Sequence, residues 1–314
     1  MPFDLNLTHL HLLMNHVPTV GTGIAIGLFL LAMMRRNEHL KHASLELFFL
    51  IALATLPVYL TGVAAQQTLQ GRPEISDAAM AAHHDAALLA FILMMITGFV
   101  SWLALWQFRR HGRSAGWTTG AILVLAALTL AVVAPAANVG GEIRHPEIMP
   151  DPEAIAPAGV WVSAAAVQDL VTTRPWVWPA AETLHFIGLS LLFGVLFAVN
   201  LRLLGGLRGV SFAAMHRMLP WGMLGFGVNL VTGMLFFIAA PEQYTANAPF
   251  FWKLVCLMVA GADLLYLTVV DKVWALEPGD DAAMLDKAIA ATAIVAWVGV
   301  IYWGRMLPFL GNAF

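Results

Sequence analysis

The side chains that can do chemistry in this chain are its histidines, eleven of them among 314 residues of which only 11% are charged. His16, His84 and His185 each stand near the start of a long apolar run, and His145 follows the end of another. Ionisable groups at membrane depth are costly and usually face a bundle interior, a partner or water. Four imidazoles at one level therefore form a constellation. Haem b needs two axial ligands from facing elements, a flat apolar slot and cations for its propionates. His16, His84, His145 and His185 are the candidate iron ligands, and Arg144, Lys253 and Arg305 are cations of the kind that meet propionates. Small residues beside the ligands favour the slot: Ala86, Ala87 and Ala90 follow His83 and His84, and Gly188 follows His185 by three.

Pairing is less determined than membership. His16 with His84 and His145 with His185 is one arrangement, while His11, five residues before His16, can serve a separate centre, so one or two haems are expected. His83 substitutes for His84, because adjacent helical positions point about 100° apart and sequence does not set the rotation. Asp85, Glu142, Glu147 and Glu182 are candidate acceptors that orient an imidazole. The fifteen methionines read as packing. His39, His42, His111 and His216 sit in basic turns and carry no chemistry in this reading.

The elements that must position these groups are membrane helices. The composition is 60% apolar, and eight runs approach or exceed the ~20 residues that cross ~30 Å of hydrocarbon. They lie at 12–34, 44–65, 79–107, 117–137, 180–204, 218–240, 250–271 and 284–307. The expected fold is all-α and polytopic, with two four-helix halves: 1–150, a loop at 151–179, and 180–314. Alternate loops hold 11 of the 16 Lys and Arg, so the positive-inside rule puts both termini outside the cytoplasm in an inner membrane. It also places residues 138–179 in the longest extracytoplasmic loop, much of which Pro135, Pro146, Pro150, Pro152 and Pro157 argue is irregular. At its head, Asn138 to Ile148 packs two glycines, two carboxylates, an arginine and a histidine into eleven residues. Arg202, at a helix end, is expected to snorkel toward headgroups. Asp263, inside the seventh run, suggests a proton path or a buried hydrogen bond.

Other classes are excluded or set aside. A net charge of −3 with no basic patch argues against nucleic acid. Cys256 is the only cysteine, so no disulfide framework, Cys-x-x-Cys-His site or iron–sulfur ligand set exists. No helix carries two histidines ~13–14 residues apart, the spacing that stacks two haems about 20 Å apart at 1.5 Å per residue.

Each half also carries a resemblance. The first, through Asn15-His16-Val17-Pro18, Gly21, Thr61-Gly62, His84-Asp85 and Gly140-Gly141-Glu142-Ile143-Arg144-His145-Pro146-Glu147, resembles a widespread family of uncharacterised bacterial four-helix membrane proteins. That family is similar in pattern to small haem-binding membrane domains. The second, through Glu182, His185, Gly188, Asn200-Leu201-Arg202-Leu203-Leu204-Gly205, Thr232-Gly233, Asn247 to Lys253, Trp297 and Gly304-Arg305, resembles another uncharacterised bacterial integral-membrane family. Asn200 departs from it, since that family usually has Asp there. The resemblances imply a haem-binding first half and name no reaction.

The expectation that follows is a b-type haem membrane cytochrome, more an electron-transfer subunit of an oxidoreductase complex than a stand-alone enzyme. It would exchange electrons between the quinone pool and an extracytoplasmic redox protein or c-type cytochrome, with Glu182 and His185 as a proton relay beside a quinone. The alternative is a haem-free transporter or permease in which His9, His11, His16, His83 and His84 bind Cu or Zn in transit.

Overall fold

The computed structural model describes residues 6–72, 75–112, 114–144, 162–269 and 271–310. Among these the chain is all-α, with twelve helices and no strand. In order they are α1 (Leu7–Met14), α2 (His16–Arg35), α3 (Glu38–Leu69), α4 (Asp77–His111), α5 (Gly116–Arg144), α6 (Ala164–Thr173), α7 (Val177–Leu203), α8 (Phe212–Ala239), α9 (Pro241–Thr245), α10 (Ala248–Val269), α11 (Asp271–Trp274) and α12 (Met284–Leu310). Eight helical stretches are long and apolar enough to cross a membrane, α1 and α2 together making one, and the chain is a polytopic membrane protein. Every apolar run became a helix, but the helices overrun the runs. The 32 residues of α3 rise about 48 Å against ~30 Å of hydrocarbon, so polar ends are carried on helix.

Two expectations change at the helix ends. Residues 138–144 do not begin a loop but form the last two turns of α5. There Asn138 Nδ2 donates to Glu142 Oε1 at 2.6 Å, an i,i+4 pair that favours helix across Gly140 and Gly141. The loop is also not wholly irregular, since α6 occupies 164–173 and its first N–H, on Ala164, donates to Asp85 Oδ1 at 2.9 Å. At the other end of the chain, the first span breaks at Asn15. Pro18 has no N–H for the Met14 carbonyl, so α1 ends as a separate eight-residue helix.

The chain forms two compact units, Met1–Val167 and Gln168–Phe314. In the first, α3 packs on α2 and α4, α4 on α5, and α5 back on α2, with α1 against α3. Its core is apolar and aromatic: Phe29 meets Phe48 edge-on at 6.2 Å, and fully buried Trp102 lies 5.4 Å from Phe49. Buried Thr97 and Thr129 join α4 to α5 by a 3.1 Å hydrogen bond. In the second unit α7 packs on α8 and α12, and α10 on α12. The α7–α8 crossing is made by glycines: a Cβ on Gly225 would lie 2.7 Å from the Gly188 carbonyl oxygen and 2.8 Å from the Leu192 nitrogen. Gly188 therefore admits a neighbouring helix, as small residues do in membrane bundles, and not the edge of a cofactor ring.

Arg202 does not snorkel. It has no exposed surface; its Nε donates to the Val210 carbonyl at 2.8 Å, its Nη2 to the Asp280 carbonyl at 3.2 Å, and its guanidinium stands 4.1 Å over the Phe212 ring. The turn after α7 and the segment before α12 are both pinned to it. Nearby, exposed Asp281 accepts from Lys287 Nζ at 2.6 Å, which holds its carboxyl below the ordinary range. Such a depressed group adds stability above its unfolded pKa of about 3.9 and loses it as pH falls through the folded value. Lys287→Met should return the Asp281 titration, followed by carboxyl-selective NMR, upward toward that ordinary value; an unmoved titration would show that the pair is not formed.

Candidate functional site

One end of the first unit gathers imidazoles from two helices around α3 and α5. His11, on α1, directs Nδ1 at the Val58 carbonyl of α3, 2.9 Å away. His83, on α4, directs Nδ1 at the Ala136 carbonyl of α5, also at 2.9 Å. His84, the next residue, instead engages the Tyr59 hydroxyl through Nε2 at 3.2 Å, with ring centroids 6.0 Å apart. Tyr59 in turn lies 5.0 Å from Phe91. His83 is within Coulombic range of both His11 and His84. Val58 and Tyr59 are adjacent on α3, so a run of polar contacts links α1, α3, α4 and α5.

A carbonyl oxygen can only accept, so Nδ1 carries the proton in both His11 and His83. Each neutral ring then keeps its lone pair on Nε2, the tautomer that a metal-ligating histidine shows when its other nitrogen is tied down. Glycines make these contacts feasible. A Cβ on Gly62 would lie 2.9 Å from His11 Cε1, and one on Gly140 would lie 2.8 Å from His83 Cε1.

The other sequence candidates fall elsewhere. His16 opens α2 and is exposed, as is His9. Arg144 is the last residue of α5; its side chain, His145 and Glu147 lie outside the described residues. Of the proposed orienting carboxylates, Asp85 caps α6, Glu142 bonds Asn138 and Glu182 is exposed. The structure thus joins His11, His83 and His84, and supplies Tyr59, Val58 and Ala136, which sequence reasoning missed. A signal was present: the spacing Pro57-Val58 to Gly62 recurs as Pro135-Ala136 to Gly140.

The second unit holds one histidine of similar character. His185 Nδ1 stands 2.8 Å from Thr232 Oγ1, whose own hydrogen goes to the Val228 carbonyl at 2.7 Å, so His185 donates through Nδ1 and again keeps its lone pair on Nε2. Phe236 lies edge-on to the ring at 5.7 Å, and Trp178 is 4.9 Å from Phe236. Lys253 is within Coulombic range of His185 and lies along Gly304. Arg305 is exposed over Phe309 at 5.3 Å. Asp263, half-buried in α10, has one carboxylate oxygen buried without a hydrogen-bond partner among the described residues, and Tyr266 one turn on donates to Asp286 at 2.7 Å.

An imidazole with an uncommitted Nε2 is the type of side chain that haem iron takes as a ligand. Among the described residues no group of three His, Cys, Asp or Glu stands together as a metal centre of its own. No protein-family model, no curated protein and no solved structure matches this chain, so its function must be read from its own geometry.

Proposed function

We propose that this chain is a b-type haem membrane cytochrome of the inner membrane, an electron-transfer subunit that exchanges electrons between the quinone pool and an extracytoplasmic redox partner. The observation that carries this reading is the gathering of His11, His83 and His84 at one end of the first unit, with two of the three imidazoles holding their Nε2 lone pairs available. The distribution of Lys and Arg assigns that end to the extracytoplasmic side, where a c-type cytochrome or similar partner would dock. Bound there, haem b supplies one-electron exchange. The protein's part would be to fix the imidazoles and to exclude lipid with the α3–α5 core.

Quinol oxidation releases two protons with its two electrons, and His185 is suited to receive one. Its Nδ1 is committed to Thr232, which leaves Nε2 as a base. Lys253, close enough to act on His185 through its charge, would offer the headgroup's oxygen a donor. The expected result in proteoliposomes is that a short-chain quinol reduces the haem at a rate that His185→Ala lowers by about a hundredfold, the low end of general-base contributions. Dithionite should still reduce the variant fully. A wild-type haem that dithionite reduces and quinol does not would defeat the quinone part of the reading.

A further inference from the structure

The contacts of His11 and His83 are the same contact built twice. In each, Nδ1 lies 2.9 Å from a helix carbonyl, and a glycine stands four residues after the accepting residue. In each, a Cβ on that glycine would meet the ring in the same order, Cε1 first, then Nδ1 at 3.1 Å, then Nε2. In each, a proline immediately precedes the accepting residue. The partners are otherwise unrelated: α1 on α3 across 47 residues of chain, α4 on α5 across 53.

The glycine has a physical task. Side chains on a helix lean toward its N-terminus and cover the preceding turn, so the residue at i+4 normally screens the carbonyl of residue i from outside donors. Removing the side chain at 62 and at 140 opens the Val58 and Ala136 carbonyls to an imidazole. The ring is then held against the helix, its tautomer is set by an acceptor that cannot donate, and Nε2 is the farthest of the three ring atoms that face the glycine, 3.6 Å from a Cβ at 62 and 3.5 Å from one at 140. Among the described residues neither Nε2 has a hydrogen-bond partner, whereas the Nε2 of adjacent His84 is taken up by Tyr59.

We infer that His11 and His83 are a matched pair of metal-ligating imidazoles, each coordinating through Nε2, with Gly62 and Gly140 as the positioning residues that open their carbonyl seats. The metal they take is the iron of haem b, a statement that rests on the function proposed above. This moves the axial pair away from His16 and His84. The carbonyl bond raises the donor strength of each imidazole and so favours ferric iron.

The test uses the full chain from haem-replete membranes, with haem per chain, ferric spin state and helix content measured together. His11→Ala and His83→Ala should each abolish the low-spin ferric signal, and added imidazole should restore it, while His39→Ala, at an exposed histidine, leaves it unchanged. Gly62→Ala and Gly140→Ala should raise the midpoint potential without changing ligand type. Where an alanine variant does not accumulate, His11→Met or His83→Met keeps the side-chain bulk and should shift the spectrum to that of a histidine–methionine pair. A low-spin spectrum unchanged in both histidine variants overturns the pairing and leaves the cytochrome reading standing. If the wild-type protein carries no haem, the cytochrome reading falls. The pair then survives only as a site for another metal, shown by stoichiometric copper or zinc that both histidine variants lose; absence of any metal overturns it too.

Discussion

Gly225→Leu parts α7 from α8 and destabilises the second unit by about 3 kcal/mol or more, at the upper end of what overpacking costs. The reason is the identity of the neighbours. A Cβ at 225 meets the Gly188 carbonyl oxygen at 2.7 Å and the Leu192 nitrogen at 2.8 Å, both backbone atoms that no rotamer change can move aside. Relief requires the helices to separate, and dispersion contacts along the whole crossing are lost with the separation. Function should follow stability here, because His185 lies one turn before Gly188 on α7 and its partner Thr232 lies two turns after Gly225 on α8. The expected outcome is a clear drop in thermal midpoint in detergent together with loss of quinol-driven reduction. Gly194→Leu, on the facing helix α7 but with open space where its Cβ would stand, should do neither. Equal damage from the two substitutions would mean that leucine at any α7–α8 glycine is harmful and that the crossing is not the cause.

Arg202→Ala is expected to cost about 3 kcal/mol, because two charge-assisted hydrogen bonds and a cation–π contact disappear together. The Val210 and Asp280 carbonyls lose their donor, and the volume of a fully buried side chain is left behind. Against this stands the relief of no longer burying a cation, which is why the loss is not larger. Arg202→Lys should recover little: one ammonium cannot span both carbonyls and cover the Phe212 face. Arg208→Ala, which removes an exposed side chain that bonds the Gly205 carbonyl three residues before it and acts on Asp281 only through solvent-screened charge, should stay within about 0.5 kcal/mol. Thermal unfolding of the three variants in one detergent gives the comparison. A stable Arg202→Ala protein would show that the guanidinium is not what ties the turn at 204–211 to the segment before α12.

The fold was legible in the sequence because its signal is long-range hydrophobicity, which survives uncertainty about any one residue. All eight apolar runs became helices. What hydropathy does not carry is where a helix stops, since a helix can continue past the hydrocarbon on polar residues, as α5 does from Asn138 to Arg144. The site was legible in composition but not in contact. Of the four histidines reasoned to one level from cost, His84 joins the cluster, whereas His16 is exposed, His185 belongs to the second unit and His145 lies outside the described residues. Which of the adjacent His83 and His84 turns toward α5 could not be read, because a rotation of about 100° separates them and only packing fixes it. The partners of His11 and His83 are backbone carbonyls, and a carbonyl has no residue type to read. The glycines were visible, but in opposite senses: Gly188 suggested a slot and serves a helix crossing, whereas Gly62 and Gly140 seat the imidazoles. Arg202 was misread for a related reason, since snorkelling presumes that no carbonyl within reach needs a donor, and two do.

The central claim, that the chain carries haem b, is tested most directly by the dithionite-reduced minus air-oxidised absorption spectrum of the purified full-length protein from haem-replete cells. The account expects a Soret band in the oxidised protein and a b-type α band on reduction, with at least one haem per chain. A preparation that is folded, helical and haem-replete in its source yet shows neither band would contradict it.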